Sequence, residues 1–73
     1  SAEAWERLLS KARESLLPRT RATRVAEILA GTQIKDPTVR KWTQRGQLAP
    51  RARRGGDRLY RVGDIEKLAT RRM

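Results

Sequence analysis

The sequence predicts one small domain that is mainly α-helical and carries a single β-hairpin. Apolar residues recur at three- and four-residue steps in several segments of the 73-residue chain, which is the period of an amphipathic helix. Gly55 and Gly56 separate two short segments and provide the backbone freedom that a two-residue hairpin turn needs. A chain of this length buries only about 60% of its accessible surface on folding, so its single core must be small.

Residues 1–18 are predicted to form an N-terminal amphipathic helix that Pro18 ends, ahead of a domain of residues 19–73. The apolar stripe of this helix consists of Ala4 or Trp5, Leu8, Leu9, Ala12 and Leu16. Two packing partners are compatible with this stripe. It packs either against the rest of the domain, whose core it would enlarge, or against a second copy of the chain. Because the chain starts at Ser1 without an initiator methionine, we expect it to be a piece of a longer protein.

A second helix is predicted to begin near Thr20 or Thr23, either of which is a suitable N-cap, and to end at Ala30 before Gly31. Four apolar residues at helical spacing form its inner face: Ala22, Val25, Ala26 and Leu29. The two alanines on this face allow another helix to come close, as two helices joined by a tight turn require.

A third helix is predicted over residues 37–45, with Asp36 as its N-cap, Pro37 at the first helical position and Gly46 after its end. The inner side of this helix carries Val39, Trp42 and Thr43, and its outer side carries Arg40, Lys41, Gln44 and Arg45 with Thr38 at the margin. Arginine bridges the O6 and N7 atoms of guanine, and glutamine pairs with adenine. This outer side therefore suits the major groove of DNA, with an ordinary solvated helix face as the alternative.

Residues 51–61 are predicted to form the hairpin. With the two glycines in the turn, Arg53 lies opposite Arg58 and Ala52 lies opposite Leu59. Like charges in opposite positions destabilise a strand pair, so this arrangement is unfavourable without a bound anion. We therefore expect a phosphate or minor-groove contact from Arg53, Arg54 and Arg58, with a mobile loop as the alternative.

A last helix is predicted after the hairpin. Asp64 lies in its first turn, where a carboxylate is favourable for the helix dipole, and Arg71 and Arg72 lie at its C-terminal end. Ile65 and Leu68 are expected to face the core.

The composition indicates a polyanionic partner and excludes several protein classes. Lys and Arg number 18 against 8 Asp and Glu, so the net charge is +10 and favours attraction to nucleic acid. The chain has no His and no Cys, which excludes a disulfide framework, the usual zinc sites, a thiol nucleophile and an imidazole base. We therefore expect no enzyme, no metal and no cofactor.

The order of these elements and their residues resemble the winged helix-turn-helix of the MerR and excisionase superfamily. The matching segments are Val25-Ala26-Glu27-Ile28-Leu29 with Gly31, Thr38-Val39-Arg40-Lys41-Trp42, Gly46-Gln47-Leu48, Gly56-Asp57-Arg58-Leu59-Tyr60, and Asp64-Ile65 with Leu68. The resemblance implies that residues 38–45 are a recognition helix in the major groove and that the hairpin is the wing. It also implies that Arg58 and Tyr60 approach the DNA backbone, although Tyr60 is equally suited to the core.

The chain departs from the family pattern in two respects. Residues 31–38 make a turn that is longer than usual, which affects the angle between the two helices. The long dimerising helix and effector domain of MerR regulators are not in this sequence, so no small-molecule effector is expected.

The main hypothesis is a sequence-preferring module that binds double-stranded DNA, acting in transcription regulation or in excisionase-like transactions of phage, plasmid or mobile DNA. Its proposed DNA-binding residues are Thr38, Arg40, Lys41, Gln44, Arg45, Arg53, Arg54, Arg58 and Tyr60. We expect a homodimer or a cooperative multimer on DNA. No apolar run is long enough for a membrane span or a signal peptide, so we expect a cytoplasmic protein of bacterial, phage or plasmid origin, associated with the nucleoid when bound.

An alternative is a protein-interaction adaptor that works through residues 1–17 and uses its basic patch for an acidic partner. RNA binding is a weaker alternative, because only Trp5, Trp42 and Tyr60 offer aromatic platforms for single-stranded bases.

Overall fold

The computed structural model describes residues 1–72, which form four α-helices and a three-stranded antiparallel sheet. The elements are α1 (Ala2–Glu14), β1 (Leu16–Pro18), α2 (Arg19–Ala30), α3 (Asp36–Gln44), β2 (Ala52–Arg54), β3 (Asp57–Arg61) and α4 (Val62–Arg71). The predicted fold class, a mainly helical winged helix-turn-helix with an additional N-terminal helix, is confirmed. Strand β1 is present in the structure but was not predicted from the sequence.

The first helix is shorter than predicted. Ser1 caps α1 by accepting a hydrogen bond from the Ala4 N–H, and the helix ends at Glu14 because Ser15 is extended, with φ −60° and ψ 137°. The placement of Leu16 in the helical stripe is therefore wrong. A residue before proline avoids the helical region, which favours an extended Leu17 next to Pro18. Strand β1 lies at the sheet edge, where its proline is tolerated.

Strand β1 connects the N-terminal segment to the hairpin. It pairs antiparallel with β3, with Leu16 opposite Arg61, Leu17 opposite Tyr60 and Pro18 opposite Leu59. The sheet order is β1-β3-β2, so β3 is the central strand. Residues 16–18, which the sequence analysis grouped with the first helix, thus share a sheet with the hairpin.

Helix α2 begins without the side-chain cap that was expected from Thr20 or Thr23. Pro18 precedes its first turn, and the Thr23 hydroxyl instead donates to the Arg19 carbonyl oxygen inside the helix, at 2.8 Å. The expected end of the helix is confirmed. Gly31 adopts a left-handed conformation with φ 70° and donates its N–H to the Glu27 carbonyl oxygen.

The turn between α2 and α3 is long but well packed. Ile34 in this turn is only 5% exposed and belongs to the core, which its loop position did not predict. Its N–H donates to the Glu27 carboxylate at 2.8 Å. Asp36 is not the N-cap as predicted, because Lys35 holds that position and α3 begins at Asp36 itself. The turn is therefore fixed by the Glu27 side chain of α2, and not by a side-chain cap at the start of α3.

The core lies between α2, α4, the inner side of α3 and the sheet. Its buried members are Ala22, Ala26, Ile34, Val39, Trp42, Leu48, Tyr60, Val62, Ile65 and Ala69. Ala22 and Ala26 are fully inaccessible, and α2 makes its most extensive contact with α4. The two small side chains thus allow a close helix approach, but the partner is α4 and not α3, the helix that follows the turn and was expected there.

An ion pair joins α1 to α4. The Arg13 guanidinium donates two hydrogen bonds to the Glu66 carboxylate, at 2.7 and 3.0 Å. Gly63 is buried at the same junction, where an added Cβ would lie 3.1 Å from the Arg13 carbonyl oxygen. The C-terminal half of α1 is therefore fixed to the domain. Over residues 1–72, none of the helices has the length and apolar character needed to cross a membrane.

Candidate nucleic-acid interface

Helix α3 has the two faces that the sequence predicted. Val39 and Trp42 are buried, and the Thr43 hydroxyl donates to the Val39 carbonyl oxygen at 3.0 Å. The outer side presents four exposed side chains: Arg40, Lys41, Gln44 and Arg45. Thr38 is half-buried at the margin. The helix ends one residue earlier than predicted, with Arg45 as its C-cap, and Gly46 follows with φ 74°.

An acidic residue lies among the cations at the start of α3. The Asp36 carboxylate accepts a hydrogen bond from Arg40 at 3.2 Å and lies 3.7 Å from the Arg19 guanidinium. Asp36 and Arg40 both remain more than half exposed, so water screens this pair and its contribution to stability is small. Its main effect is to direct the Arg40 side chain along the first turn of α3.

The hairpin has the predicted register. Ala52 lies opposite Leu59 and Arg53 lies opposite Arg58, while Arg54 faces Asp57. Gly55 has φ 61° and Gly56 does not have a positive φ, which fits a II′ turn with glycine at its first central position. Within residues 1–72, no ion pair involves Arg53, Arg54 or Arg58, and all three side chains are exposed.

Helix α3 and the hairpin border one open cleft. Thr43 of α3 and Arg58 of β3 both line it, together with Pro18, Arg19, Gly56, Asp57 and Tyr60. The inner part of α3 and the hairpin tip are therefore neighbours on one side of the molecule. Two of the lining residues, Arg19 and Arg58, are cations.

Tyr60 differs from the other proposed DNA contacts. Its side chain is 4% exposed and belongs to the core, where it is paired with Leu17 of β1. Only its edge reaches the cleft. Of the two interpretations of Tyr60, the structure favours the core residue. Its packing in the core supports the strand that carries Arg58.

The base of the hairpin is neutralised by α4. Arg51 donates two hydrogen bonds to the Asp64 carboxylate, at 2.8 and 3.1 Å, and Arg61 donates one at 3.1 Å. Burial acts to raise the pKa of Asp64, but the hydrogen bonds and charges of Arg51 and then Arg61 outweigh it, so the pKa lies below its ordinary value. Arg51 and Arg61 are consequently structural cations, although they contribute to the positive charge of this region.

Arg19 lines the cleft, although its sequence position did not predict this. Arg19 is the first residue of α2, and it reaches the cleft because Pro18 and β1 place it beside Thr43. Helical periodicity does not predict that Arg19 reaches the cleft, because the placement of Arg19 depends on the pairing of β1 with β3.

Comparison with protein families agrees with this geometry. The model of the MerR HTH family of regulatory proteins matches residues 13–72, from the end of α1 to the last described residue. No curated protein and no solved structure gives a match. The matched segment contains the helix-turn-helix, the hairpin and α4. The chain therefore belongs to the MerR helix-turn-helix family, and it is a DNA-binding regulatory domain.

Proposed function

We propose that the chain is a sequence-preferring module for double-stranded DNA, in which α3 enters the major groove and the hairpin contacts the backbone or the adjacent minor groove. The observation that carries this proposal is the shared cleft, which is lined by Thr43 of α3, Arg19 of α2 and Arg58 of the hairpin. In this proposal the exposed cations of α3 and of the hairpin extend the cleft into one cationic surface, which follows a duplex from one groove to the next.

The two elements have different roles in this proposal. Base edges are read by the outer side of α3, with Arg40, Lys41, Gln44 and Arg45 as the reading residues and Thr38 at the margin. Phosphates are bound by Arg53, Arg54 and Arg58, whose mutual repulsion falls when an anion lies between them. Phosphate contacts fix the position of the protein, and base contacts select the sequence.

The proposed biological setting is transcription regulation or excisionase-like DNA recombination, without an effector molecule and without catalysis. The small size of the module supports binding as more than one copy. A single module of this kind buries only about 600 to 1,000 Å² on DNA, which limits the affinity of one copy for one site.

The salt dependence of duplex binding tests the proposal. If about six to ten phosphates are neutralised, affinity falls about 10³- to 10⁵-fold between about 50 and 200 mM salt. A flat salt response would contradict the proposal. Single-stranded RNA serves as the competitor, and it should displace the chain poorly because the described surface offers few aromatic platforms for bases.

Two single substitutions test the division of roles. Arg45→Ala should relax sequence preference by about 1 to 3 kcal/mol, since it removes a base contact. Arg54→Ala should weaken binding to all duplexes similarly and lower the salt slope by about one. Equal losses on specific and random duplexes in both variants would show that the assigned roles are wrong.

A second candidate function is the protein-interaction adaptor, which the exposed apolar residues Trp5 and Leu8 of α1 favour. A chain that associates with another protein and ignores duplex DNA at low salt would support it. The family membership favours DNA binding.

A further inference from the structure

We propose that Arg19 and Arg58 together bind one phosphate of the DNA backbone, in the cleft between α3 and the hairpin. This inference rests on the proposed DNA binding. It gives a ligand to Arg19, which lines the cleft but is neither a base-reading nor a phosphate-binding residue in the proposed function. It also assigns both arginines to the same phosphate.

The first observation is the position of Arg19 beside the sheet. The last pair between β1 and β3 is Pro18 with Leu59. Arg19 follows Pro18 along the chain, and Arg58 precedes Leu59. Because the two strands are antiparallel, the next step of the register brings Arg19 to the level of Arg58. Both residues line the cleft, so the strand pairing places two cations at one site.

The second observation is the excess of positive charge at this end of the sheet. On the other side of β3, Arg58 lies opposite Arg53 of β2. Arg58 on the central strand thus has a neighbouring cation on each side, and like charges in such positions repel. One carboxylate, Asp57, also lines the cleft, and within residues 1–72 it forms no ion pair. The charge at this end therefore favours an anionic ligand.

The third observation is the weak contact between Arg19 and its own acidic partner. The Arg19 guanidinium lies 3.7 Å from the Asp36 carboxylate, which is longer than a hydrogen bond. The same carboxylate oxygen accepts a hydrogen bond from Arg40 at 3.2 Å. Asp36 is about half exposed, so water screens its attraction for Arg19. A phosphate oxygen can therefore replace Asp36 as the partner of Arg19.

The place of the cleft favours a backbone phosphate over a base edge. In the proposed complex, α3 lies in the major groove and the hairpin reaches the backbone or the adjacent minor groove. A sugar-phosphate strand separates the two grooves, and in this arrangement it passes between α3 and the hairpin. The cleft lies between the same two elements. Guanidinium groups match the geometry of phosphate oxygens, so two arginines can bind different oxygens of one phosphate.

The test replaces single phosphates of a duplex selected from a random pool by uncharged methylphosphonate, one position at a time. Wild-type chain should lose affinity at each position that it contacts. Arg19→Ala and Arg58→Ala should each bind the unmodified duplex about tenfold more weakly, as expected for a hydrogen bond to a charged group. Both variants should respond less than wild type at one shared position, and the double variant should not respond there. Arg54→Ala should keep the wild-type response at that position.

The salt dependence of the double variant counts the phosphates. Each neutralised phosphate contributes about 0.9 to the slope of log affinity against log salt concentration. If Arg19 and Arg58 share one phosphate, the double variant should lower the slope by about this amount in total. A reduction of about twice this amount would show two separate phosphates and would overturn the shared site.

Arg21→Ala is the matched control. Arg21 is an exposed arginine of the same helix that does not line the cleft, so this change removes the same charge from another part of α2. Arg21→Ala should keep the wild-type response at the shared position. Arg19→Lys retains the charge without the planar fork and should keep part of the response there. Circular dichroism measures whether each variant is folded, and Arg19→Lys provides the comparison if Arg19→Ala unfolds.

Failure of the shared site and failure of the proposed function give different results. If Arg19→Ala behaves as Arg21→Ala does, or if Arg19 and Arg58 act at different positions of the duplex, the shared site is wrong and DNA binding by α3 and the hairpin stands. Wild-type chain that binds no duplex refutes the proposed function, and the shared site falls with it.

Discussion

The base and the tip of the hairpin carry arginines in two different situations. At the base, Arg51 and Arg61 are held by the Asp64 carboxylate of α4, within 3.1 Å. At the tip, Arg53 and Arg58 lie opposite each other. The difference is a carboxylate within ion-pair distance: Asp64 contacts both arginines at the base, whereas within residues 1–72 Asp57, opposite Arg54, forms no ion pair. Arginines with a carboxylate partner stabilise the fold, whereas those without one remain available to a ligand.

The largest effect is expected from removing the tip cations together. Replacement of Arg53, Arg54 and Arg58 by Ala eliminates three of the proposed phosphate contacts, so duplex affinity at low salt should fall on the order of 100-fold or more. Titration of a labelled duplex measures the change. The melting temperature should not fall, since these side chains are exposed and the repulsion between Arg53 and Arg58 is removed. A lower melting temperature would show that the tip also supports the fold.

A smaller effect, on stability rather than affinity, is expected at the base. Asp64→Asn leaves Arg51 and Arg61 without their carboxylate, and it should lower the free energy of unfolding by about 1 to 2 kcal/mol. Chemical denaturation followed by circular dichroism provides the measurement. Affinity for DNA under conditions where the variant is folded should match wild type. A selective loss of DNA binding would instead place Asp64 in the interface.

The same carboxylate gives stability a specific pH dependence. Because the pKa of Asp64 is lowered in the folded state, its contribution is fully present above the ordinary aspartate pKa and is lost as pH falls through the folded value. Wild-type chain should therefore lose more stability than Asp64→Asn on acidification below about pH 4. Parallel unfolding curves in the two chains would contradict the pairing of Asp64 with the arginines.

The smallest effect is expected at Arg40. This arginine has a carboxylate partner, Asp36, as the arginines at the hairpin base do, but the pair is exposed to solvent, as the arginines at the tip are. Asp36→Asn removes a negative charge near the proposed DNA surface and releases Arg40 and Arg19. Affinity for random duplex should rise a few-fold, and stability should change by less than about 1 kcal/mol. Competition between selected and random duplexes measures the resulting loss of discrimination. Lower affinity for random duplex would argue against a nearby phosphate.

The elements that the sequence predicts well depend on local patterns. The inner side of α3, the end of α2 at Gly31 and the register of Arg53 with Arg58 follow from periodicity and turn chemistry within a few residues. The outer side of α3 was identified for the same reason, because one face of a short helix is read from spacing alone.

The features that were missed depend on distant contacts. Strand β1 exists because residues 16–18 pair with β3, more than forty positions later, and Leu17 covers Tyr60. The two partners of Asp64 and the burial of Ile34 likewise require the assembled fold. Local spacing carries no information on such pairings. The N-cap of α3 was misplaced by one residue, since several polar residues near a helix start are comparable caps.

The Glu27 side chain has a consequence for the energetics of recognition. It holds the inter-helix turn through the Ile34 N–H, and the Ile34 side chain fills the space beneath. Without these contacts, the turn between α2 and α3 would lose conformational freedom when the domain binds DNA, and this loss would lower the affinity. In this domain that ordering is completed during folding. In the proposed complex the bases therefore meet a helix whose direction is already set, and a change in its direction does not relieve mismatched contacts.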